Sequence, residues 1–248
     1  VVVNSDAGNG VGYTGIRIRG TDAARINVTL NGIPYNDAES QGTFFVDLPD
    51  FSSSINSIQV QRGIGTSSNG AGAFGATINL STNELNKIKY ISTNNSYGSF
   101  NTWKNNIQFG SGLLGKNFTI DGRVSRISSD GYIDRARSEL RSFYLSTAFV
   151  TKKNSLRFNI FSGKEKTYQA WNGVAANLLQ TDRTHNPSGT EKPGAPYDNE
   201  VDDYTQTHYQ LFYNHKFNKY WKGNVAVFLT RGKGYYEQYK ANKKLADY

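Results

Sequence analysis

The sequence predicts a mostly β protein in two parts, the second being the opening strands of a large transmembrane β-barrel. Three observations carry that expectation. Aromatic residues make up 13% of the chain, yet its mean hydropathy is −0.60. Strands that alternate lipid-facing apolar residues with polar lumen-facing ones produce this pairing. A secreted, Tyr-rich β-sandwich would produce it too, so composition leaves both open. Second, from about Lys87 onward apolar residues recur at every other position over long segments, the period of a strand with one apolar face. Third, the links between these segments alternate between short and long, and this separates the two architectures.

Residues 1–82 are Gly- and Asn-rich, with short strand-like pieces between turns. Ile16-Arg17-Ile18-Arg19 alternates and stops at Gly20. Ile26-Asn27-Val28-Thr29-Leu30 ends on Asn31-Gly32, a strong tight-turn pair. Residues 55–62 alternate again, and Thr77-Ile78-Asn79-Leu80 is a fourth short strand. No helical period persists over three turns. These strands are too few and short to enclose a core alone. The first part is therefore expected to be incomplete, with further strands supplied by chain beyond this sequence.

Residues 83–248 hold about seven long strands, expected at 87–95, 100–111, 117–128, 141–151, 156–166, 204–217 and 222–235. Such lengths suit a tilted crossing of a hydrocarbon layer. Links 112–116, 152–155 and 218–221 are short, whereas 129–140 and 167–203 are long. Outer-membrane barrels keep short turns on one rim and long loops on the other; a sandwich has no reason to. Tyr220 and Trp221, beside a short turn, fit an interfacial aromatic girdle. Phe143, Leu145, Phe149, Leu156, Phe158, Ile160, Val225, Val227 and Leu229 are expected to face outward. Ser146, Arg157, Asn159 and Thr230 are expected to face the lumen.

Other signals exclude more than they assign. No apolar run is long enough for a transmembrane helix. Val1-Val2-Val3-Asn4 carries no basic region or cleavage site, so any leader is expected to have been removed or to lie upstream. The absence of Cys rules out disulfides and thiolate metal sites. Net charge is +8, but the bases are scattered singly through strands and turns, which argues against nucleic acid. Gly10-Val11-Gly12-Tyr13-Thr14-Gly15 matches the dinucleotide fingerprint but is followed by a strand pattern, not the helix that holds the pyrophosphate; the glycines are expected to permit a tight loop. His185, His208 and His215 lack metal-ligand spacing, and His208 and His215 fall on opposite strand faces. Asp198, Glu200, Asp202 and Asp203 could gather round calcium but lack the Gly hinge of a helix-loop-helix site. Carboxylate pairs occur only in segments that look like exposed loops, and no nucleophile motif appears. No metal, no cofactor and no enzymatic activity are expected.

The positive signal is an ordered set of motifs. Ile16-Arg17-Ile18-Arg19-Gly20 is followed by Arg25-Ile26-Asn27-Val28-Thr29-Leu30-Asn31-Gly32-Ile33-Pro34. Leu48-Pro49, then Ile55-Asn56-Ser57-Ile58-Gln59-Val60-Gln61-Arg62-Gly63, come next. Ser67-Ser68-Asn69-Gly70-Ala71-Gly72-Ala73-Phe74-Gly75-Ala76-Thr77-Ile78-Asn79-Leu80 closes the set, before Tyr97-Gly98-Ser99-Phe100-Asn101-Thr102 at a first barrel hairpin. This succession resembles the plug domain of TonB-dependent receptors and its exit into the barrel. Asn31, Gln59, Ile64 and Asn69 depart from the usual Asp, Glu, Pro and Tyr. Two of these changes remove acids near Arg62, which weakens any local salt bridge for it.

The resemblance implies the C-terminal part of a plug at 1–82 and the first strands of a roughly 22-stranded barrel at 83–248. It implies import of a scarce nutrient (siderophore-iron, haem, cobalamin or oligosaccharide) across the outer membrane of a Gram-negative bacterium. The implied partners are a TonB-type energy-transducing complex, outer-membrane lipid, the ligand and, as an option, a surface lipoprotein. By position, Tyr35, Asn36, Asp37, Gln41, Phe44 and Phe45 of the apical loop are expected ligand contacts, although Phe44 and Phe45 are equally suited to packing the core. Tyr168, Trp171, His185 and Tyr197 form a second candidate surface. Arg17, Arg19 and Arg62 are expected to tie plug to barrel. A β-rich surface adhesin or carbohydrate-binding protein is the alternative, but it leaves the ordered motifs unexplained.

Overall fold

The computed structural model describes residues 1–64 and 74–244. The chain opens with β1 (Val2–Ser5), paired antiparallel with β2 (Thr14–Arg17). β1 was not expected, because a bare valine run shows no alternation. The strand expected at Ile16 to Arg19 lies earlier: Ile18 makes only an isolated bridge to Thr21, and Arg19 turns the chain at φ 55.

β3 (Ile26–Leu30) reverses through Asn31 (φ 59) and Gly32 (φ 82) into β4 (Ile33–Pro34). Positive φ at both central residues explains the Asn-Gly pair. β5 (Ser57–Arg62) is antiparallel to β6 (Ala76–Ser81), and β6 is parallel to β3, giving a sheet in the order β4-β3-β6-β5. Every residue of β3 is buried. The part of the exit motif from Ser67 to Ala73 lies outside the described residues.

The remainder is one antiparallel meander in which each strand pairs with its sequence neighbours. Its strands are β7 (Lys89–Gly98), β8 (Thr102–Ser111), β9 (Phe118–Ser129), β10 (Ser138–Val150), β11 (Asn154–Tyr168), β12 (Val201–Lys216) and β13 (Lys222–Tyr236). Links 112–117, 151–153 and 217–221 share one rim; 99–101, 130–137 and 169–200 share the other. Only 99–101 departs from the long-link pattern.

The faces sort as the lipid argument requires. Phe143, Phe149, Leu156, Phe158, Val225, Val227 and Leu229 are exposed, Leu145 and Ile160 are half-buried, and among the described residues no second sheet covers them. Ser146, Arg157 and Asn159 are buried on the inner face. Thr230 is exposed in this chain but shares that inner face, its hydroxyl 3.1 Å from His208 Nδ1.

Residues from both parts make the main core. Ile18, Ile26, Val28, Leu30, Leu48, Phe51, Ile78 and Leu80 pack with Tyr144 of β10 and Phe161 of β11. Phe51 lies 5.0 Å, ring to ring, from Phe161 and 6.3 Å, edge-on, from Tyr144. The small sheet thus closes its core against the inner wall of the large one.

Candidate functional site

At the long-link rim, the β1–β2 loop (residues 6–13) reaches the inner wall. Gly8 and Gly12 have φ of 75° and 83°, conformations that favour glycine. They also sit tight: a Cβ on Gly12 would lie 2.6 Å from Ser138 Oγ, and one on Gly8 3.0 Å from the Tyr132 ring. Of the fingerprint glycines only Gly12 serves close approach to the wall: Gly10 has open space around it, and Gly15 lies against Asn4. Asn9 Nδ2 donates to Ser129 Oγ at 2.7 Å. Tyr13 donates to Asp202 at 2.6 Å and lies 3.2 Å from Glu165. Its ring meets Trp171 edge-on at 5.7 Å, and Trp171 meets Tyr236 at 6.3 Å. Trp171 remains 40% exposed, presenting an aromatic surface at the mouth.

The two long links brace one another. Asn186, buried, donates to the carbonyls of Asp134 (2.9 Å) and Gln169 (3.0 Å). Arg135 donates to the carbonyls of Asn186 and Ser188 and lies over the Tyr168 ring at 5.9 Å. Tyr168 donates to the Tyr197 carbonyl at 2.6 Å, and Tyr197 to Glu237. The Tyr168 and Tyr197 hydroxyls are thus engaged in holding the loops. His185 sits 3.8 Å from Asp182 on the loop surface.

The apical plug loop is stapled from inside. Asn36 Oδ1 accepts from the Val28 N–H at 2.8 Å, while its Nδ2 donates to the carbonyls of Ile26 and Gln41, both at 2.9 Å. Asp37 accepts from the Ser40 N–H (2.7 Å) and hydroxyl (2.9 Å), and these bonds hold its carboxyl below the ordinary range. Gln41, at φ 58, donates to the Ala38 carbonyl at 3.0 Å. Tyr35 donates to the Phe44 carbonyl at 2.6 Å and packs its ring 5.7 Å from His208. Phe45 packs on the core; Phe44 is exposed.

The structure corrects the expectation that carboxylates pair only in exposed loops. Asp47 and Glu165 are buried, and Tyr13 links Glu165 to Asp202. Burial, then Asp202, pushes the Asp47 carboxyl up to about 7. Burial, then Glu165 and the hydrogen bond to Asp202, raises the Tyr13 phenol far above its usual range, so it stays a donor. The acidic stretch 198–203 does not converge. Asp202 turns inward to Tyr13, while Asp203 pairs outward with Lys164 at 3.4 Å. Among the described residues no group of acids and histidines is arranged to hold a metal.

Below this cluster, Asp50 anchors the plug. It is in the left-handed region (φ 52, ψ 23) and pairs with Lys104 of β8 and with Arg123 of β9 at 3.4 Å. Asn106 and Ser125 of the wall donate to it at 2.8 and 2.7 Å, and Ser53 at 2.6 Å. Burial opposes its charge, but the bonds from Lys104, Ser53, Ser125 and Asn106 outweigh it and hold the carboxyl below its ordinary range. Arg17, Arg19 and Arg62 are exposed and form no ion pair among the described residues. Nearer the short-link rim, a polar cavity of about 330 Å³ separates plug residues Ser53, Ser54 and Thr82 from wall residues Asp121, Arg123, Tyr144 and Arg157.

Sequence reasoning missed Tyr13, Asp47, Asp50, Glu165 and Tyr236. The one available signal was the density of glycines around Tyr13, in a loop set aside for its misleading motif.

The family model for the TonB-dependent Receptor Plug Domain matches residues 1–77. No curated protein matches the chain. Among solved structures, the chain is similar to the open form of the ferric-catecholate import receptor Fiu from E. coli K12 (TM-score 0.69, 18% identity, 89% of this chain and 33% of that one). It is also similar to the pyoverdine outer membrane receptor FpvA from Pseudomonas aeruginosa PAO1 bound to pyoverdine (0.68, 16%, 92% and 34%). A third is the siderophore receptor PiuA from Acinetobacter baumannii (0.65, 13%, 89% and 30%). At these identities the likeness is one of fold, and the chain spans about a third of the length of these structures. Residues 1–77 match the plug family model, and the chain as a whole shares the fold of these receptors.

Proposed function

We propose that this chain is the plug and first wall strands of an importer in the outer membrane of a Gram-negative bacterium. A TonB-type complex would supply the force that shifts the plug, and the chain itself performs no bond chemistry. The observation that carries this reading is how the plug sits on the wall. Its core closes on Tyr144 and Phe161, while its outer contacts are hydrogen bonds and ion pairs at Asn9, Tyr13 and Asp50. Polar contacts of this kind can be exchanged for water when the plug moves. The polar cavity beneath it offers a wet start to a path.

For cargo we favour an iron-loaded siderophore. Tyr13, Trp171 and Tyr236 form an aromatic mouth suited to stacking on a ligand ring. The solved structures named above are receptors for such ligands. Haem fits poorly, because His208 is buried, stacked on Phe161 at 4.7 Å and hydrogen-bonded to Gln206. An adhesin has no use for a plug closed onto its wall. The test is iron-siderophore uptake under iron limitation in cells lacking the intact receptor, then complemented with wild type or Trp171→Ala. Uptake should need both the receptor and a working TonB complex. The variant should bind about tenfold more weakly, the effect of losing roughly 1.4 kcal/mol of stacking. TonB-dependent uptake of an oligosaccharide instead would overturn the cargo, and uptake independent of the receptor would overturn the importer.

A further inference from the structure

The aromatic mouth carries a charge that its rings alone do not disclose. Asp202 of β12 stands directly opposite Tyr236 of β13, a pairing that places their Cβ atoms about 4.5–5.5 Å apart on one face. Tyr13 closes a second side, its hydroxyl 2.6 Å from the Asp202 carboxylate. Trp171 completes the frame, meeting the Tyr13 ring edge-on at 5.7 Å and the Tyr236 ring at 6.3 Å. Within these three rings Asp202 is half-buried rather than sealed.

No base neutralises this carboxylate or the two behind it. Asp202, Glu165 and Asp47 form no ion pair among the described residues. Glu165 accepts hydrogen bonds from Tyr13 at 3.2 Å and Thr167 at 3.1 Å. Asp47 lacks even that. It is 5% exposed, its carboxylate has no hydrogen-bond partner among the described residues, and it acts electrostatically on Tyr13 and Glu165. A carboxylate buried without a partner is costly, and a cation brought to the mouth relieves that cost. The bases of the same strands do not serve, because alternation turns Lys164, Lys166 and Lys233 to the outward face. A chain of net charge +8 thus presents an acidic, aromatic mouth.

We propose that the mouth selects cargo bearing an organic cation, an ammonium group that enters between Tyr13, Trp171 and Tyr236 and settles on Asp202. The negative faces of aromatic rings attract such a group, most strongly where water is excluded, and the carboxylate adds a charge-assisted hydrogen bond. Among the described residues no acids converge as a metal ion would require, whereas an ammonium needs no fixed ligand set. The cargo is then an iron-siderophore complex with a free amine, and the same acids repel a polyanionic complex. The inference deepens the cargo reading above and rests on this mouth being the face that receives it.

The experiment titrates the intact receptor in neutral detergent with three ferric complexes of one linear trihydroxamate. Its terminus is left as a free ammonium, acetylated, or succinylated, so a common neutral iron core carries a positive, neutral or negative end. Wild type should prefer the ammonium form to the acetylated form by about tenfold and bind the succinylated form most weakly. The preference should shrink as salt is raised. Asp202→Asn keeps an acceptor for the Tyr13 hydroxyl but removes the charge, and should bring the three affinities within about twofold of one another. Asp203→Asn, which faces outward on the same strand, should keep the wild-type order. Equal binding of the ammonium and acetylated forms by wild type, or a preference that survives Asp202→Asn, would overturn the proposal while leaving the importer reading standing. Should Asp202→Asn fail to fold, the wild-type charge series and its salt dependence still decide. If none of the three complexes binds or is taken up, the siderophore reading falls and the proposal falls with it.

Discussion

Asp47 and Asp50 stand three residues apart, both buried, and their surroundings push their carboxyls in opposite directions. Asp50 is held ionised by wall donors, with Arg123 almost fully enclosed beside it. Removing the negative charge leaves that guanidinium uncompensated, which costs about 3 kcal/mol. Asn tolerates the left-handed backbone, so Asp50→Asn isolates the charge, and a urea melt of the intact receptor measures its loss. Asp47 is raised to about 7 by burial and Asp202, and the sign follows. Its stabilising contribution is full below its unfolded pKa near 4 and is lost as pH rises through about 7, on the order of 2–4 kcal/mol. For Asp50 the contribution is present above the unfolded pKa and lost as pH falls through its lowered folded value. Plug seating is thus limited from the alkaline side by one aspartate and from the acid side by its neighbour. Melting temperature should fall between pH 6 and 8 in wild type and less steeply there in Asp47→Asn; an equal slope in both would place the titration elsewhere.

β11 shows how one element serves both solvents. Its outward residues Leu156 and Phe158 are exposed, while Gly163 on the inner face lets the plug turn Asp47–Pro49 lie on the strand. A Cβ at Gly163 would fall 2.1 Å from the Asp47 carbonyl oxygen and 2.6 Å from Pro49 Cδ. Gly163→Ala must therefore shift plug backbone and should cost about 1–3 kcal/mol. Gly122→Ala is the control: its Cβ would meet the Phe109 ring at 2.4 Å, and an outward-facing ring can swing away. Trypsin should clip the plug faster in the first variant and at the wild-type rate in the second. The same strand shows what the sequence discloses. Its apolar alternation was legible because an apolar outward face and a plug-facing inner one impose period 2. Its ends were not: β11 runs Asn154–Tyr168 and β10 begins at Ser138, beyond the segments expected at 156–166 and 141–151. Past the apolar belt both faces are polar, so the alternation vanishes while strand pairing continues. Gly163, Asp47 and Tyr13 were illegible for a related reason, since their roles depend on which plug atom meets which wall atom. The Asn31-Gly32 turn, set by local backbone chemistry, was plain.

At the scale of the whole molecule, the proposed function makes the wall a boundary between three media: lipid outside, plug inside and water at the rims. Aromatic residues mark both edges, with Tyr220 and Trp221 at the short-link rim and Trp103 against Tyr97 (4.6 Å) near the other. Between them β13 gives the plainest depth record, its outward residues running Val225, Val227, Leu229, Arg231 and Lys233. A soluble sandwich would cover the first three with a second sheet; here they are 55–60% exposed and uncovered among the described residues. If lipid is what meets them, cost must track depth. A Lys on the lipid face costs about 2–4 kcal/mol at the midplane and about 0–1 kcal/mol near the interface. Val227→Lys should therefore carry most of that penalty, Leu229→Lys less, and Arg231→Lys almost none. The inner face should be indifferent by comparison, so Ala226→Ser, one residue away and pointing to the lumen, should change little. Reversible unfolding of the intact receptor in lipid vesicles reads this series directly. A graded loss along the outward positions supports a membrane wall, whereas equal penalties at Val227 and Arg231 would mean that the face meets a uniform medium and would remove the ground for placing this chain in a membrane.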